Sequence, residues 1–236
     1  MKGKVYLIPT FLGDDSTAEQ TMPTYNIDVV RRLKFFLVEE IRTARRYLKR
    51  MDKSINIDEL SIIQLNKDTK WEQIKPMLAP ALEGNDIGVM SEAGCPGIAD
   101  PGALAVEAAH RMGIQVVPLV GPSSILLAMM ASGMNGQNFA FVGYLPVDKS
   151  ELDKRIRKME ERSAKEHQTQ IFIETPYRNG KLFDDLIRIL RPSTRMCIAT
   201  DVACPTESIL TKTIADWKKA GAPDFHKKPT IFLFTA

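Results

Sequence analysis

Short apolar runs alternate with amphipathic stretches along the first half of the chain. The runs are rich in Val, Ile, Leu and Phe, which predicts buried strands at residues 5–8, 34–38, 60–65, 86–90 and 115–120. The stretches between them predict a polar loop at 10–23 and helices at 26–33, 42–51, 71–82 and 103–111. Alternation of strands and helices predicts a parallel sheet with helices on its faces.

The helix predicted at 42–51 has the clearest amphipathic pattern. Its apolar residues follow the i, i+3, i+4, i+7 spacing of a single buried stripe, namely Ala44, Tyr47, Leu48 and Met51. Most of its other positions are Arg or Lys. Residues 31–53 hold nine Lys or Arg and three acids, a charge of +6, whereas the whole chain carries +3. This excess fits either a solvated helix face or a surface that contacts phosphates.

The pattern of apolar and polar residues changes after Gly121-Pro122. A helix of small residues is predicted at 123–131 and a strongly charged one at 150–165, with further helices near 181–190 and 216–219. Strands are predicted at 139–145, 170–174, 196–200, 208–214 and 230–234. The sequence therefore predicts two α/β domains, residues 1–120 and 121–236.

Composition excludes several classes of protein. With 44% apolar and 26% charged residues, the chain is typical of a folded globular protein. Its three cysteines form no close pair, and its three histidines lack metal-ligand spacing, which favours a reducing compartment and no metal. No apolar run is long enough for a signal peptide or a membrane span. We therefore expect a cytoplasmic protein that does not bind membranes.

The most informative segment is the loop at residues 91–102, which follows the strand predicted at 86–90. It contains three glycines and two prolines and is about twice as long as an ordinary strand-to-helix turn. A loop with so few side chains lets backbone N–H and C=O groups approach a ligand closely. The segment predicts a ligand site, because ligands bind beyond the carboxyl ends of parallel strands.

Two further loops are expected at the same edge of the sheet, after the first and fifth strands. They are residues 9–13 and 121–124, and each taken alone also fits a plain turn or a helix cap. The phosphate-binding patterns GxGxxG and GxxxxGK[ST] are absent from the sequence. The predicted ligand site is therefore neither a dinucleotide site nor a P-loop of the usual kind.

These segments together resemble the tetrapyrrole methylase superfamily. The chain is most similar to the branch that methylates a ribose 2′-hydroxyl in bacterial small-subunit ribosomal RNA. The resemblance runs in a consistent order from residue 4 to about 234. The segments that carry it are Ile8-Pro9-Thr10 with Gly13, Glu39-Glu40-Ile41-Arg42, residues 91–102, Val120-Gly121-Pro122-Ser123-Ser124, Phe141-Val142-Gly143-Tyr144-Leu145-Pro146 and Glu174-Thr175-Pro176-Tyr177-Arg178.

The resemblance implies an N-terminal parallel sheet, a C-terminal mixed sheet and S-adenosylmethionine bound in the cleft between the two domains. It also implies a homodimer that acts on ribosomal RNA or on the small ribosomal subunit. The residues expected to bind the cofactor, largely through backbone atoms, are Pro9, Leu12, Gly94, Cys95, Pro96, Ile98, Asp100, Ser123, Ser124 and Thr175. No catalytic residue is assigned, and the candidates are Glu39, Glu40 and Arg42.

Two other functions stay open at this point. One is methylation of a tetrapyrrole or another small metabolite. The other is a nucleotide-binding regulatory module without catalytic activity, which is favoured by two departures from the family pattern: Ile41 stands where threonine is usual, and Tyr177 stands where histidine is usual. Glu92 and Cys95 also replace the usual aspartate and threonine of the glycine-rich loop.

Overall fold

The computed structural model describes residues 1–18 and 20–236 in full and residue 19 through its backbone alone. The chain divides into two compact units, Met1–Ser123 and Ser124–Ala236, and this division lies three residues after the predicted one. The first unit is built on a five-stranded sheet in which all pairs are parallel, with the order β3-β2-β4-β1-β5. Its strands are β1 (Lys4–Ile8), β2 (Phe35–Val38), β3 (Ser61–Gln64), β4 (Ile87–Met90) and β5 (Gln115–Pro118).

Helices cover both faces of this sheet. They are α1 (Ala18–Thr21), α2 (Thr24–Arg32), α3 (Ile41–Met51), α4 (Trp71–Met77), α5 (Ala79–Leu82) and α6 (Gly102–Arg111). Successive strand residues point to opposite faces, so Ile8 and Phe36 join the core with α2 and α3, while Val5 and Leu37 join the core with α4 to α6. The buried residues of α3 are the four that its apolar pattern predicted.

Two predicted elements of this unit are wrong in part. The helix predicted at 71–82 is broken at Leu78, because Pro80 has no N–H with which to continue the helical hydrogen bonds. The loop predicted at 10–23 contains α1, a single turn that buries Ala18. A helix of four residues is too short for apolar periodicity to reveal it.

The second unit contains a mixed sheet, as expected, and its strand order is β6-β7-β10-β8-β9. Its strands are β6 (Phe139–Tyr144), β7 (Thr169–Ile173), β8 (Arg195–Thr200), β9 (Ser208–Thr213) and β10 (Thr230–Thr235). Only β6 and β7 pair in parallel; the other neighbours are antiparallel. The carboxyl ends of β6 and β7 therefore lie at the same edge of the sheet, as do the loops that follow them.

The helices of the second unit are α7 (Ser124–Ser132), α8 (Lys149–Glu166), α9 (Asn179–Ile189) and α10 (Ile214–Ala220). An aromatic-rich core joins α8, α9 and α10 to one sheet face, and the buried Trp217 indole donates a hydrogen bond to the Met196 carbonyl oxygen at 2.9 Å. Within the described part of the chain, no helix has the length and hydrophobicity that a membrane span requires. Among the same residues, no cluster of His, Cys, Asp and Glu has an arrangement suited to a metal ion.

Candidate functional site

The glycine-rich loop at residues 91–102 connects β4 to α6 and is organised by one carboxylate. Asp100 Oδ1 accepts the backbone N–H of Gly97 at 2.8 Å and that of Gly102 at 2.6 Å. Gly94 and Gly97 have φ angles of +74° and +82°, which residues with a Cβ adopt only under strain. The second oxygen, Asp100 Oδ2, is buried and accepts no hydrogen bond from the described residues. It is therefore an acceptor that a ligand with a polar N–H or O–H group would satisfy.

The loop after β1 is bonded directly to the glycine-rich loop. The Thr10 N–H donates to the Gly94 carbonyl at 2.8 Å. A Cβ added to Gly94 would lie 3.3 Å from Leu12 Cδ2 and 3.5 Å from the Pro122 carbonyl oxygen. Pro122 belongs to the loop after β5, and its carbonyl also accepts a hydrogen bond from Cys95 Sγ at 3.4 Å. Three loops therefore meet around Gly94, as their positions after parallel strands predict.

The loop after β5 is held against Pro9 and α2. A Cβ at Gly121 would come within 2.3 Å of the Pro9 ring, so only glycine fits there. The buried Asn26 side chain donates to the Val120 carbonyl at 2.7 Å. The three loops carry the candidate cofactor residues of this unit, which are Pro9, Leu12, Gly94, Cys95, Pro96, Ile98, Asp100 and Ser123.

Side chains of helix α3 contact the loop after β1 and hold it in place. The Tyr47 hydroxyl donates to the Pro9 carbonyl, and the Tyr47 ring lies 4.6 Å from the Phe11 ring. The Arg50 guanidinium lies 4.4 Å from the Phe11 ring centroid and donates to the Ser16 carbonyl. Arg50 therefore stabilises the loop after β1 and is not free to bind an external ligand.

Glu39 follows β2 and reaches the start of the glycine-rich loop. Its Oε2 accepts the Glu92 N–H at 3.1 Å, and its carbonyl accepts a bond from Gln64 Nε2 at 3.1 Å. Burial raises the pKa of the Glu39 carboxyl, and the charges of Glu92 and Asp100 add to this effect. Burial also raises the pKa of Asp100. Among the described residues, none of these three carboxylates forms an ion pair, so the edge is acidic.

Glu40 and Arg42 occupy different positions from Glu39. Glu40 is the N-cap of α3, and its Oε2 accepts the Thr43 N–H at 2.7 Å. That hydrogen bond is the main reason why the pKa of Glu40 is lowered. Arg42 is exposed, and no ion pair to it is found within the part of the chain that the structure describes. Glu40 is therefore used by the helix, and Glu39 is the candidate that touches the loop.

The outer face of α3 is basic. Its exposed residues Arg42, Arg45, Arg46 and Lys49 are spaced to lie opposite the buried stripe. Arg46 contacts Asp14 at 3.0 Å, but both side chains are more than half exposed, at 60% and 72%, so the pair contributes little stability. These cations of α3 thus form a solvent-facing surface. This agrees with a solvated helix face and equally with a surface that contacts phosphates.

The remaining candidates, Ser124 and Thr175, belong to the second unit. Ser124 is the first residue of α7, and the exposed Thr175 precedes the 3-10 turn Pro176–Arg178. The neighbouring Glu174 pairs with Arg178 at 2.9 Å and accepts the Thr175 N–H at 2.7 Å. The Glu174 side chain is only 4% exposed, so the carboxylate of this ion pair is buried in the second unit.

Sequence reasoning missed several of the contacts that shape the site. Asn26 and Tyr47 both bind backbone carbonyls of loops that are far away in sequence, and Glu39 binds a residue 53 positions later. No local pattern marks such contacts. The one available signal was Asp100, since an acid that precedes Pro-Gly at a helix start commonly accepts backbone N–H groups.

Comparison with known proteins gives consistent matches. The model of the tetrapyrrole (corrin/porphyrin) methylase family matches residues 27–218. Several curated relatives are named ribosomal RNA small subunit methyltransferase I. That of Xylella fastidiosa is 29% identical over 87% of this chain and 72% of its own length. That of Vibrio cholerae is 27% identical over 95% and 73%, and that of Halalkalibacterium halodurans is 31% identical over 80% and 61%.

Solved structures of similar fold include tetrapyrrole methyltransferases. The crystal structure of the methyltransferase CobJ matches with a TM-score of 0.66 and 17% identity, over 99% of this chain and 94% of that one. Uroporphyrin-III C-methyl transferase from Thermus thermophilus, complexed with S-adenyl homocysteine, matches with a TM-score of 0.59 and 16% identity, over 99% and 97%. At this identity the likeness establishes the fold.

Proposed function

The chain belongs to the tetrapyrrole (corrin/porphyrin) methylase family, and we propose that it methylates a ribose 2′-hydroxyl in RNA of the small ribosomal subunit. Family membership makes it an S-adenosylmethionine-dependent methyltransferase, which confirms the predicted enzyme class and cofactor. The observation that carries the choice of acceptor is the name shared by relatives that align with 80–95% of this chain. The basic outer face of α3 supports the same choice, because RNA binding depends on phosphate contacts.

Transfer of labelled methyl groups tests this proposal directly. We expect the enzyme to label purified small ribosomal subunits or their bare RNA, with the label recovered as a 2′-O-methylated nucleoside after digestion. A tetrapyrrole acceptor assayed in parallel represents the small-molecule alternative. Labelling of the tetrapyrrole without labelling of RNA would contradict the proposal, and labelling of neither would favour the regulatory module.

The residues of the first unit fit the cofactor. The loop around Gly94 presents backbone groups with few side chains, and Asp100 Oδ2 is a buried acceptor without a partner among the described residues. The carboxylates of Glu39, Glu92 and Asp100 make this edge acidic, which suits a ligand with a positive sulfonium and a positive amino group. When bound, S-adenosylmethionine supplies a methyl group on a sulfonium, an electrophile that needs no metal.

The chain's own residues then have to orient the reactants and accommodate a proton. Alignment of the reacting groups is the largest requirement of a methyl transfer, and it falls to the rigid loops around Gly94. Within this arrangement we assign Glu39 a positioning role, because its carboxylate ties the end of β2 to the Glu92 N–H. We assign no residue as the base that accepts the hydroxyl proton.

A Glu39→Gln enzyme is expected to resist unfolding better and to bind S-adenosylmethionine less well. The amide still accepts the Glu92 N–H, but the cost of burying a charge is removed, and with it the repulsion from the carboxylates of Glu92 and Asp100, which stabilises the fold by roughly 0.2–1 kcal/mol. Loss of the negative charge weakens binding of the cationic cofactor by roughly fivefold. Thermal unfolding and calorimetric titration measure the two effects separately, and a variant that loses both stability and affinity would contradict the assignment.

The stability difference is expected to depend on pH in one direction. Glu39 has a pKa above the ordinary value of 4.5 in the folded chain, so its ionisation costs stability. Below pH 4.5 the carboxyl is protonated in both the folded and unfolded states, and the variant should match the parent. As pH rises from 4.5 through the raised pKa, the variant should become the more stable protein. A difference that grows towards acid pH would show that another group is responsible.

We further propose a cytoplasmic homodimer. No disulfide joins the three cysteines among the described residues, which suits a reducing compartment where ribosomal RNA is also found. On α7, whose residues are apolar nearly all round, Met130 is 79% exposed and Leu126 is 52% exposed, and a partner subunit would cover such a surface. Light scattering at micromolar concentration should give twice the chain mass of 26.4 kDa. A monomer mass would contradict the dimer.

A further inference from the structure

We propose that an unpaired segment of the RNA substrate binds the second unit at the edge where β6 and β7 end; the inference rests on the function proposed above. The aromatic–basic edge, as we define it, consists of Tyr144, Val147, Lys149, Tyr177 and Lys181. Its tyrosines would stack on bases and its lysines would contact phosphates. This assigns a substrate-binding role to a part of the chain that lies outside the glycine-rich loop.

The topology of the sheet places the aromatic members together. Tyr144 is the last residue of β6 and, after a shift of register that follows Phe141, pairs with Ile173, the last residue of β7. Because these strands are parallel, the loop that holds Val147 and the turn that holds Tyr177 leave from the same edge. Tyr144 is 61% exposed, Val147 is 68% exposed and Tyr177 is 78% exposed. Three large apolar side chains so open to solvent at one edge are typical of a binding surface.

A pocket at this edge supplies the charges. The charged residues of its lining are Lys149, Glu174, Arg178, Lys181 and Asp185. The acids are already paired, since Glu174 contacts Arg178 at 2.9 Å and Asp185 contacts Arg188. Lys149 and Lys181 form no ion pair within the described part of the chain. The net charge that the pocket offers to a ligand is therefore positive.

The positive charge continues along α8. A shallow groove next to the pocket is lined by Lys149, Lys154 and Arg157 together with Asp148, Ser150 and Asp153. Asp153 shares Arg188 with Asp185, and Asp148 caps α8 by accepting the Glu151 N–H at 2.9 Å, so the groove has three cations against two acids. The cations are thus available to a chain of phosphates that runs from the pocket along the helix.

Exposed rings beside unpaired cations select a single-stranded nucleic acid. A double helix keeps its bases stacked on each other, whereas an unpaired base can stack on a tyrosine while its phosphate meets a lysine. This assignment also gives a reason for Tyr177 in the place where the resembled family usually has histidine. Both residues present a flat ring, so the change preserves stacking and need not remove activity.

The stacking half is tested with a short unstructured RNA that carries 2-aminopurine, whose fluorescence changes when it stacks. We expect Tyr144→Ala and Tyr177→Ala each to raise the Kd roughly 5- to 100-fold and to reduce the stacking signal. Tyr144→Phe and Tyr177→Phe should keep both, because the ring is retained. Tyr25→Ala is the control, since Tyr25 is also exposed, at 55%, but lies in the first unit. Circular dichroism checks that each variant is folded.

The charge half is tested by the dependence of Kd on salt. For Lys149→Ala with Lys181→Ala, the slope should fall by about 0.7 for each phosphate of single-stranded RNA that the lysines neutralise. Lys67→Ala, at an exposed position of the first unit, should leave it unchanged. Unchanged affinity and stacking signal in both alanine variants of tyrosine, or no RNA binding by the parent, would overturn the inference. Stacking on the parent without methylation of ribosomal RNA would instead leave the inference standing and reject the proposed function.

Discussion

A Gly94→Val enzyme is expected to lose S-adenosylmethionine binding, with the Kd raised at least about a hundredfold. The first added atom would lie 3.3 Å from Leu12 Cδ2 and 3.5 Å from the Pro122 carbonyl oxygen, and the branched methyl groups would extend further among the three loops. Gly94→Ala should have a weaker effect, because the flexible Leu12 side chain can move away from a single methyl group. Calorimetric titration with S-adenosylmethionine and with S-adenosylhomocysteine measures both variants.

The matched control for this prediction is Gly221→Val. Gly221 has a φ angle of +76°, close to the +74° of Gly94, but no atom lies within 4 Å of the position that its Cβ would take. Gly221 has a ψ angle of 179°, which together with its positive φ is a conformation essentially restricted to glycine, so Gly221→Val should also strain the backbone, whereas only Gly94→Val should lose the cofactor. Cofactor affinity equal to that of the parent in Gly94→Val would show that the site lies elsewhere. Loss of affinity in Gly221→Val as well would point to general destabilisation.

Local patterns were sufficient to predict elements that bury one face. Helix α3 is an example, because its four buried residues repeat at the helical spacing and its charged residues fill the remaining positions. The break at Leu78 depends on Pro80 and on how the chain returns to β4, and the prediction of one long helix missed it. The strand order could not be predicted from the hydrophobic pattern either, because β1 lies between β4 and β5 through contacts between residues that are distant in sequence.

The candidate site was predictable where a general rule of parallel sheets applies. Loops that follow parallel strands meet at one edge, and the contact between Thr10 and Gly94 follows from that rule. The roles of individual acids were not predictable, because they depend on tertiary contacts. Glu39 and Glu40 are neighbours in sequence, yet one binds the glycine-rich loop and the other caps α3. The alternation of side chains at the end of a strand does not indicate which of the two carboxylates binds the loop and which caps the helix.

An enzyme with Arg45→Ala and Arg46→Ala is expected to bind small-subunit RNA more weakly and with less dependence on salt. Both side chains lie on the exposed face of α3, Arg45 without an ion pair among the described residues and Arg46 with only the exposed partner Asp14. For each phosphate that is no longer neutralised, the slope of log K against log salt should fall by roughly 0.7 to 0.9. Affinity for S-adenosylmethionine should stay the same, because the loop after β1 is held by Tyr47 and Arg50, which this variant keeps.

The matched control removes the same charge from another place. Lys218→Ala with Lys219→Ala takes two exposed cations from α10 in the second unit, so any effect of net charge alone should appear equally in both double variants. A smaller slope only in the α3 variant would locate phosphate contacts on that helix. If the α3 variant methylates ribosomal subunits as well as the parent at both low and moderate salt, the basic face is a solvated surface. Methylation of a small molecule would then become the stronger hypothesis, because the charge excess of residues 31–53 would have no part in binding the acceptor.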